Sequence, residues 1–411
     1  EHLRESERIC TAEATPGERE DLRNLRVWTV DGRMTRDFDD ALSLSVEGDT
    51  IQLGIHIADV AGVIEPDTLL DEEAYQRGTS LYLPRHQIPM LPVALSQEGL
   101  SLKQGCDRSA ISLIAVLDKE GNLLDSRFVQ SLVRVEKQWT YDEVNESFDR
   151  EPLFQEMRRL SQILRQKRME QGALVLSLPE IAVEVTPEGV VVLHKVEQDT
   201  PSRSMVAELM ILYNRLAARF CSDHQIPAIY RCQEAPAERL SPEGMNYFYY
   251  VFKQRRKLSP LSIRTEPKPH SSLGVDMYTT VTSPIRRYYD LLVQRQIRNF
   301  LYRGAPLYTR EEVEKKRLVL DPLLKSIELL TRNSTRYWIQ KYLAQHVGEK
   351  YPALVLDVIR NKYRVLLSDV LLIAEVKREN GQNLREGQEI MVKIRKADPW
   401  EDYLKVDIEK W

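Results

Sequence analysis

Apolar and polar residues alternate in two stretches of the N-terminal half. In the first stretch, a turn at Glu47-Gly48-Asp49 separates two runs with an apolar residue at every second position, Leu42, Leu44 and Val46 and then Ile51, Leu53, Ile55 and Ile57. A period of two is that of a half-buried strand, so this pattern predicts a hairpin. The second stretch predicts another hairpin around Gly121-Asn122, between residues 111–117 and 124–135.

Farther along the chain the apolar period changes to that of helices. This spacing predicts helices over residues 152–171, 203–222, 284–303 and about 310–346. After residue 350 the pattern returns to short strands separated by polar turns such as Asn380-Gly381, with strands expected at 353–358, 364–367, 371–376 and 390–394. About 60 residues of this kind suit a small closed barrel. Residues 1–24 are rich in charge and lack a clear period, which predicts a tail or linker.

Composition narrows the class of protein. A chain of 411 residues exceeds one ordinary core, and no apolar run is long enough to cross a membrane. The net charge of −4 does not indicate a nucleic-acid binder, so any polyanion site must be local. Four cysteines without CxxC spacing disfavour a disulfide framework or zinc knuckle and favour the cytoplasm. Because the chain starts at Glu1 without a leader, we expect a fragment of a longer precursor.

Four carboxylates lie within ten residues immediately before the first predicted strand pair: Asp31, Asp37, Asp39 and Asp40. Such groups repel one another unless a cation or hydrogen bonds offset the repulsion. Hard oxygen ligands of this kind suit Mg²⁺ or Mn²⁺. The alternative is a solvated acidic loop, although the interleaved apolar Val30, Phe38 and Ala41 indicate that the segment is anchored to a core. The EF-hand pattern of glycine and closing glutamate is missing, which disfavours a calcium loop.

A basic segment covers residues 282–303, with five arginines and only one acid, Asp290. We predict a helix start there with Ser283 as N-cap and Pro284 as the first helical residue. Arg286 and Arg287 would then lie in the first turn, where the helix dipole disfavours cations unless an anion binds there as well. The alternative, which the sequence supports equally well, is a helix whose arginines pair with acidic side chains elsewhere in the fold.

Aromatic and histidine residues supply further candidates. Tyr82 precedes Arg85 and His86, and Tyr141 follows Trp139 at a predicted helix start. Tyrosines beside basic residues can stack on nucleic-acid bases, but most tyrosines in strands are simply half-buried. His56 alternates with apolar residues, which favours a hydrogen-bonded structural histidine, and the role of His270 stays undecided.

Taken together, these motifs resemble the RNB catalytic domain of the ribonuclease II/RNase R family. The matching segments occur in family order across about 300 residues. They are 30–41, 54–60, 77–84, 88–92, 229–231 and 270–288, and they include Asp37-Phe-Asp-Asp-Ala41 and Thr282-Ser-Pro-Ile-Arg-Arg-Tyr288.

The resemblance implies an α+β fold, in which a mixed sheet with surrounding helices forms an RNA channel and a small OB-fold barrel follows. It predicts a tail at 1–24, an RNB catalytic domain at 25–347 and the barrel at 348–411. It also implies Mg²⁺-dependent, processive 3′-to-5′ hydrolysis of single-stranded RNA to nucleoside 5′-monophosphates, with Mn²⁺ as a possible substitute. A membrane is not expected as a partner, and an obligate protein partner is not evident.

Residue by residue, the resemblance makes Asp31 and Asp40 metal ligands, with Asp37 and Asp39 completing the acidic cluster. Asp39 corresponds to the carboxylate most closely tied to cleavage, and Asp37 and Arg286 are also assigned to catalysis. The implied RNA contacts are Tyr82, Tyr141, Arg286, Arg287 and Leu176.

Three features depart from the family pattern. Leu176 stands where the family commonly has a phenylalanine that forms the second side of a base clamp, which predicts weaker stacking. Only about 25 residues precede the resemblance, where the family usually has two cold-shock barrels. Residues 351–411 contain eleven basic and eleven acidic residues, so the barrel must hold RNA through patches or stacking, with Tyr363 and Trp400 as candidates.

The rival interpretation is an RNA-binding regulator with weak or no catalysis on an RNB scaffold. Loss of one of the four aspartates or of Arg286 would favour it, and all five residues are present. We therefore predict an active exoribonuclease.

Overall fold

The computed structural model describes residues 19–378 and 383–409, an α+β arrangement of two sheet-based units. The helices are α1 Leu69–Arg77, α2 Tyr141–Ser147, α3 Pro152–Glu170, α4 Pro201–Asp223, α5 Tyr247–Arg255, α6 Tyr288–Arg303 and α7 Arg310–Gln345. The strands of the N-terminal unit are β1 Glu20–Asp21, β2 Val27–Asp31, β3 Asp40–Glu47, β4 Thr50–Ala58, β5 Leu81–Tyr82, β6 Gln87–Ile88, β7 Asp107–Asp118, β8 Leu123–Thr140, β9 Glu180–Val185, β10 Val191–Val196, β11 Tyr230–Cys232 and β12 Ser262–Arg264. Those of the C-terminal unit are β13 Lys350–Ile359, β14 Lys362–Leu367, β15 Leu372–Lys377, β16 Glu389–Asp398 and β17 Tyr403–Ile408.

The main sheet is mixed and has the order β1-β8-β2-β3-β4-β7, with β8 also pairing with β7. Both predicted hairpins are confirmed, since β3 pairs antiparallel with β4 and β7 with β8. Gly48, in the first turn, has a φ of 61°, a left-handed conformation that favours glycine. β2 runs parallel to β8 and antiparallel to β3, which places the end of β2 beside the start of β3.

Helices cover the apolar face of this sheet. The helix predicted over residues 203–222 is α4, and its apolar stripe of Met205, Leu209, Leu212 and Leu216 is buried in the main core. α4 begins with Pro201 at its first position, which suits a helix start because proline lacks the N–H that would be unpaired there. The sheet and α4 together fix the positions of the segments that carry the acidic residues.

The predicted N-terminal tail is wrong for its described part. Residues 19–24 belong to the sheet unit, because β1 pairs with β8 and Leu22 is buried in the main core. The guanidinium of Arg19 lies 2.6 Å from the buried carboxylate of Asp59, which ties this segment to the domain. Residues 1–18 lie outside the described residues.

The C-terminal unit is a closed barrel with the order β13-β14-β15-β17-β16, as predicted. Its core also takes Ile339 and Leu343 from the end of α7. The strand β17 was missing from the sequence-based prediction. Tyr363 is fully buried in the barrel core, so its predicted role in base stacking is wrong, whereas Trp400 is 84% exposed. The predicted turn at Asn380-Gly381 lies outside the described residues.

The described cysteines are unpaired, and the described helices do not have the length and apolarity of a membrane span. Cys106, Cys221 and Cys232 are free thiols, and Cys10 lies outside the described residues. Within residues 19–378 and 383–409, no helix is both long and apolar enough to cross a membrane.

His56 is confirmed as a hydrogen-bonded structural histidine. It is fully buried on β4, with Nε2 2.9 Å from Ser43 Oγ and Nδ1 2.7 Å from Ser112 Oγ. Burial lowers the pKa of His56 from its usual 6.5 to about 4, because a charged imidazole would lose its hydration there.

Acid should therefore destabilise the fold through His56. Between pH 6.5 and about 4 the unfolded chain binds a proton that the folded chain does not, so stability present above pH 6.5 is lost on acidification. The loss from this residue should be up to about 3 kcal/mol. Urea titrations of wild type and His56→Gln across this range test the prediction. An equal pH dependence of the unfolding free energy in both proteins would contradict it.

Candidate active site

The acidic segment connects two neighbouring strands of the main sheet. Asp31 is the last residue of β2 and Asp40 the first residue of β3. Because these ends of the two central strands are adjacent, the loop brings all four predicted aspartates together, and we call this end of β2 and β3 with its loop, residues 31–40, the acidic edge. The solvated-loop alternative does not fit Asp39, which is only 3% exposed.

Asp39 pairs with the segment that carries Arg286, although the two are far apart in sequence. Asp39 Oδ1 accepts a hydrogen bond from the Ile285 N–H at 2.9 Å. Arg286 Nε donates to Asp39 Oδ2 at 3.2 Å, and the Arg286 side chain remains 42% exposed. One carboxylate thus fixes a guanidinium that still faces solvent and can meet an anion.

The backbone of Arg286 is held by the segment that follows α1. The carbonyl of Arg286 accepts hydrogen bonds from the Ser80 N–H at 2.9 Å and the Thr79 hydroxyl at 2.8 Å. Gly78, with a φ of 67°, turns the chain out of α1, and its carbonyl accepts from the Tyr288 N–H at 2.9 Å. The same segment continues into β5 and carries Tyr82, so one stretch of backbone positions both side chains.

The predicted start of the basic helix is wrong. α6 begins at Tyr288, with Arg287 as N-cap and no side-chain capping bond. Arg287 is extended, with φ −137° and ψ 122°, and bridges to Thr79, which prevents an earlier helix start. Ser283 Oγ accepts hydrogen bonds from Arg286 at 2.9 Å and Arg287 at 3.0 Å instead of capping the helix. Arg286 therefore precedes the helix and does not lie in its first turn.

Most of the other arginines in this segment have carboxylate partners, as the alternative interpretation stated. Arg287 lies 2.8 Å from Asp290 Oδ2, Arg298 3.2 Å from Asp59, and the buried Arg295 2.7 Å from Asp71. Arg303 lies over the ring of Tyr302. The segment is thus not a continuous polyanion surface, and Arg286 is its arginine at the acidic edge.

Both predicted tyrosines lie at the acidic edge. The Tyr82 hydroxyl donates to Asp37 Oδ2 at 2.6 Å, while 45% of the residue stays exposed. Loss of solvation raises the pKa of Tyr141, and the nearby Asp40 and Asp31 carboxylates add to this rise. Tyr141 therefore faces the Asp31–Asp40 side of the loop, while Tyr82 faces the Asp37 side.

Leu176 lies elsewhere, in an extended segment after α3. Its carbonyl accepts a hydrogen bond from Arg255 at 2.9 Å, and it lines a cavity of about 360 Å³ together with residues of α4. The described contacts of Leu176 do not join it to Tyr82. His270 forms bridges with Gln233 and Val275 and packs against Tyr278, so its described contacts likewise lie away from the aspartates.

The carboxylates at the acidic edge are poorly solvated. Burial raises the pKa of Asp39 to about 7, although Arg286 and the Ile285 N–H act in the opposite direction. Burial raises the pKa of Asp40 to about 6 against the effect of Arg286 and Arg287. Burial, Asp40 and Asp39 all raise the pKa of Asp31 well above its usual range. Ionised carboxylates packed this closely destabilise the folded state unless a cation binds among them.

The donor set fits a hard divalent cation. Asp31 Oδ2 is buried and has no hydrogen-bond partner, so an oxygen ligand is available at the end of β2. Among the described residues, no group of three or more His, Cys, Asp or Glu side chains is arranged so that it could hold a metal ion by itself. Mg²⁺ does not need one, since it binds through one or two carboxylates together with substrate phosphates and water.

Sequence reasoning missed Arg203, in the first turn of α4. Its guanidinium carbon lies 4.3 Å from the centroid of the Tyr141 ring, a cation–π contact that fixes the tyrosine. The sequence did contain a signal for Arg203. Thr200-Pro201 is a typical helix start, and a positively charged side chain in the first turn that follows is unfavourable for the helix dipole, which points to another role for it. The same argument applied to Arg286 failed because the helix there starts later.

Comparison with known proteins identifies the family of this chain. The family model of the RNB domain matches residues 19–303, which contain all four aspartates, Arg286 and both tyrosines. The chain belongs to the RNB domain family.

Two curated relatives carry ribonuclease names. An uncharacterized ribonuclease of Synechocystis sp. is 32% identical over 400 residues, 94% of this chain and 60% of that protein. The chloroplastic/mitochondrial ribonuclease II of Arabidopsis thaliana is 32% identical over 401 residues, 93% of this chain and 49% of that protein. The chain thus spans 60% and 49% of the lengths of these two relatives.

Solved structures show the same fold at low identity. Mycoplasma genitalium RNase R in complex with ribose methylated single-stranded RNA has a TM-score of 0.87 at 18% identity, covering 100% of this chain and 75% of that one. Yeast Ssd1, a pseudonuclease, has a TM-score of 0.73 at 14% identity, covering 87% of this chain and 50% of that one. A protein described as a pseudonuclease therefore shares this fold, so activity must be argued from the residues of the site.

Proposed function

We propose that this chain is a metal-dependent exoribonuclease that removes nucleoside 5′-monophosphates from the 3′ end of single-stranded RNA. The observation that carries the proposal is the pairing of Asp39 with the half-exposed Arg286, beside three further carboxylates. Metal-dependent phosphodiester hydrolysis can use both halves of this arrangement, oxygen ligands for a cation and a guanidinium for the charge that develops on the phosphate. Membership of the RNB family supports the same reaction.

Asp31 and Asp40 are the proposed principal ligands of Mg²⁺, or of Mn²⁺ in its place, with Asp37 and Asp39 completing the acidic set. When bound, the cation supplies charge stabilisation and an activated water. Asp31 is suited to this role because one of its buried oxygens has no protein partner. The low solvation that raises the pKa of Asp31 and Asp40 also makes cation binding more favourable than at an exposed loop.

Arg286 is proposed to bind the non-bridging phosphate oxygens at the scissile bond. Asp39 and the Ser283 hydroxyl orient its guanidinium, so little ordering remains to be done when the substrate arrives. Arg287 is proposed to contribute less to RNA binding than predicted, because Asp290 and Ser283 already engage it.

Tyr82 and Tyr141 are proposed to hold the 3′-terminal nucleotides. Tyr82 combines an exposed ring with a hydroxyl fixed by Asp37, and Arg203 covers part of the Tyr141 ring. Rings fixed in this way stack on a base with little loss of side-chain entropy.

The organisation proposed for the chain is a catalytic unit that includes residues 19–24 and extends to residue 347, followed by an RNA-holding barrel at 348–411. The second candidate function is RNA binding without cleavage, which the pseudonuclease with the same fold favours. Retention of Asp31, Asp37, Asp39, Asp40 and Arg286 favours cleavage.

Incubation of 5′-labelled single-stranded RNA and DNA of matched sequence, each with Mg²⁺ and with EDTA, tests the proposal. We expect progressive shortening of RNA with Mg²⁺, no shortening with EDTA, and little action on DNA. RNA that stays intact with Mg²⁺ although it is bound would support the regulator instead.

Replacing Leu176 with phenylalanine should tighten the binding of short RNA. Leu176 lines a cavity of about 360 Å³ next to α4, which gives space for a larger ring. A ring there would add a stacking surface of the order of 1 kcal/mol. Fluorescence anisotropy with a short labelled RNA measures the change, with Leu176→Met as the size control. Equal affinities of both variants and wild type would show that Leu176 does not contact bases.

A further inference from the structure

Three aromatic side chains lie together where α7 meets the barrel. We call this group the aromatic platform; it consists of the half-buried Tyr337 and Trp338 on α7 and the exposed Trp400 in the β16–β17 turn. The ring centroid of Tyr337 lies 5.2 Å from that of Trp400 and 5.4 Å from that of Trp338. Trp400 is 84% exposed, so the platform faces solvent mainly through this indole, and Tyr403, 47% exposed, follows it at the start of β17.

The turn that displays Trp400 is fixed by specific contacts. Asp402 adopts a φ of 47°, a left-handed conformation that is uncommon outside glycine. Its carboxylate accepts hydrogen bonds from Arg336 and from Gln340, both on α7. Asp398 Oδ1 accepts from the Trp400 N–H at 3.2 Å and from the Glu401 N–H at 3.3 Å. The indole is therefore held outward by a built turn, although exposing it to water is unfavourable.

The charges around the platform favour a polyanion. Two of the three nearby acids are engaged, Asp402 with Arg336 and Asp398 with the turn backbone and with Lys396 at 3.8 Å, and Glu401 remains exposed. On the basic side, Lys341 Nζ lies 4.8 Å from the Trp338 centroid. Among the described residues, neither Lys341 nor the exposed Arg332 forms an ion pair. Stacking rings with adjacent free cations are the features that bind single-stranded nucleic acid.

We propose that the aromatic platform binds bases of single-stranded RNA by stacking, as a second contact outside the acidic edge. The proposal rests on the proposed function for the nature of the substrate and adds where a longer substrate is held. The platform combines residues of α7 with the β16–β17 turn, so it does not belong to the barrel alone. Since the barrel is balanced in charge, stacking on the platform supplies affinity that charge does not.

The test compares the full-length wild type with Trp400→Ala, Tyr337→Ala and Trp400→Phe. Tyr302→Ala is the matched control, because Tyr302 is also exposed, at 51%, and lies beneath Arg303 on α6. Anisotropy with EDTA gives the Kd for fluorescein-labelled oligo(A) of about 30 and about 4 nucleotides. The long RNA exceeds the largest site of one such barrel, about 16 nucleotides, whereas the short RNA is expected to occupy the acidic edge alone. Each Kd is measured at two salt concentrations.

We expect Trp400→Ala and Tyr337→Ala to raise the Kd of the long RNA about tenfold, equivalent to about 1.4 kcal/mol. The Kd of the short RNA should not change, Trp400→Phe should restore most of the affinity, and Tyr302→Ala should have no effect. The fold-change should be similar at both salt concentrations, because stacking does not release counterions.

An unchanged Kd for the long RNA, or equal losses for both lengths, would overturn the proposal. A wild-type dimer in sedimentation that Trp400→Ala converts to monomer would overturn it too, since a second copy would then be the occupant. Failure of the proposed function is a separate result: the wild type would shorten no RNA, and the Kd comparison would still decide the role of the platform.

Discussion

Replacing Asp39 with asparagine should lower the rate of RNA cleavage roughly a thousandfold or more, equivalent to about 4 kcal/mol of barrier. Asp39 Oδ1 accepts from the Ile285 N–H and Oδ2 from Arg286 Nε, so both oxygens are in use. An asparagine keeps one acceptor but places an NH₂ group against one of the two donors. The variant thus loses a ligand charge and the orientation of Arg286 together.

The fold should tolerate this change. Burial raises the pKa of Asp39 to about 7, which means that the folded state disfavours the charge that asparagine removes. We expect the unfolding free energy to change little, because removal of the buried charge offsets the unfavourable NH₂–donor contact, and the Kd for RNA to stay within about threefold. Single-turnover kinetics and urea titration measure the two effects. Cleavage within about threefold of wild type would contradict a catalytic role for Asp39.

Removal of the Arg286 guanidinium should lower the rate about 100- to 1000-fold, the usual effect of losing one donor to a developing charge. Arg286→Ala removes the group, and Arg286→Lys keeps the charge without the planar fork, so lysine should recover only part of the activity. Arg303→Ala is a suitable control because Arg303 lies at the far end of α6. Arg298 is less suitable, since it holds the buried Asp59 and its loss would affect stability.

Equal and small effects of Arg286→Ala and Arg303→Ala would contradict the proposed role of Arg286. A large effect confined to KM would also contradict it, because a group that acts on the transition state should lower kcat. The thermal unfolding of each variant shows whether a rate change comes from loss of fold.

Local pattern was sufficient for much of the fold. The hairpins, the stripe on α4 and four of the five barrel strands follow from residue spacing alone, because each buries one face against a core. The fifth strand, β17, had the same signal in Leu404, Val406 and Ile408. Tyr363 was misjudged for a related reason: it alternates in β14 with the half-buried Lys362 and Arg364, so its side chain lies in the barrel core.

Tertiary contacts determined what spacing could not predict. The Ser283-Pro284 pair has the form of a helix start, but the bridge between Arg287 and Thr79 delays the helix to Tyr288. The segment that contains Leu22 pairs with β8, more than 100 residues away in sequence, so local charge made this segment resemble a tail. The pairing of Asp39 with Arg286 spans 247 positions and could be anticipated only through the family resemblance.

The direction of digestion is the decisive measurement for the proposed 3′-to-5′ exoribonuclease. The wild-type chain is incubated with Mg²⁺ and one RNA sequence labelled in parallel at its 3′-terminal nucleotide and at its 5′ end. We expect the 3′ label to appear at once as a nucleoside 5′-monophosphate, while the 5′-labelled strand shortens step by step. Early release of the 5′ label, or cuts within the strand that leave the 3′ label on long fragments, would contradict a 3′-to-5′ exoribonuclease.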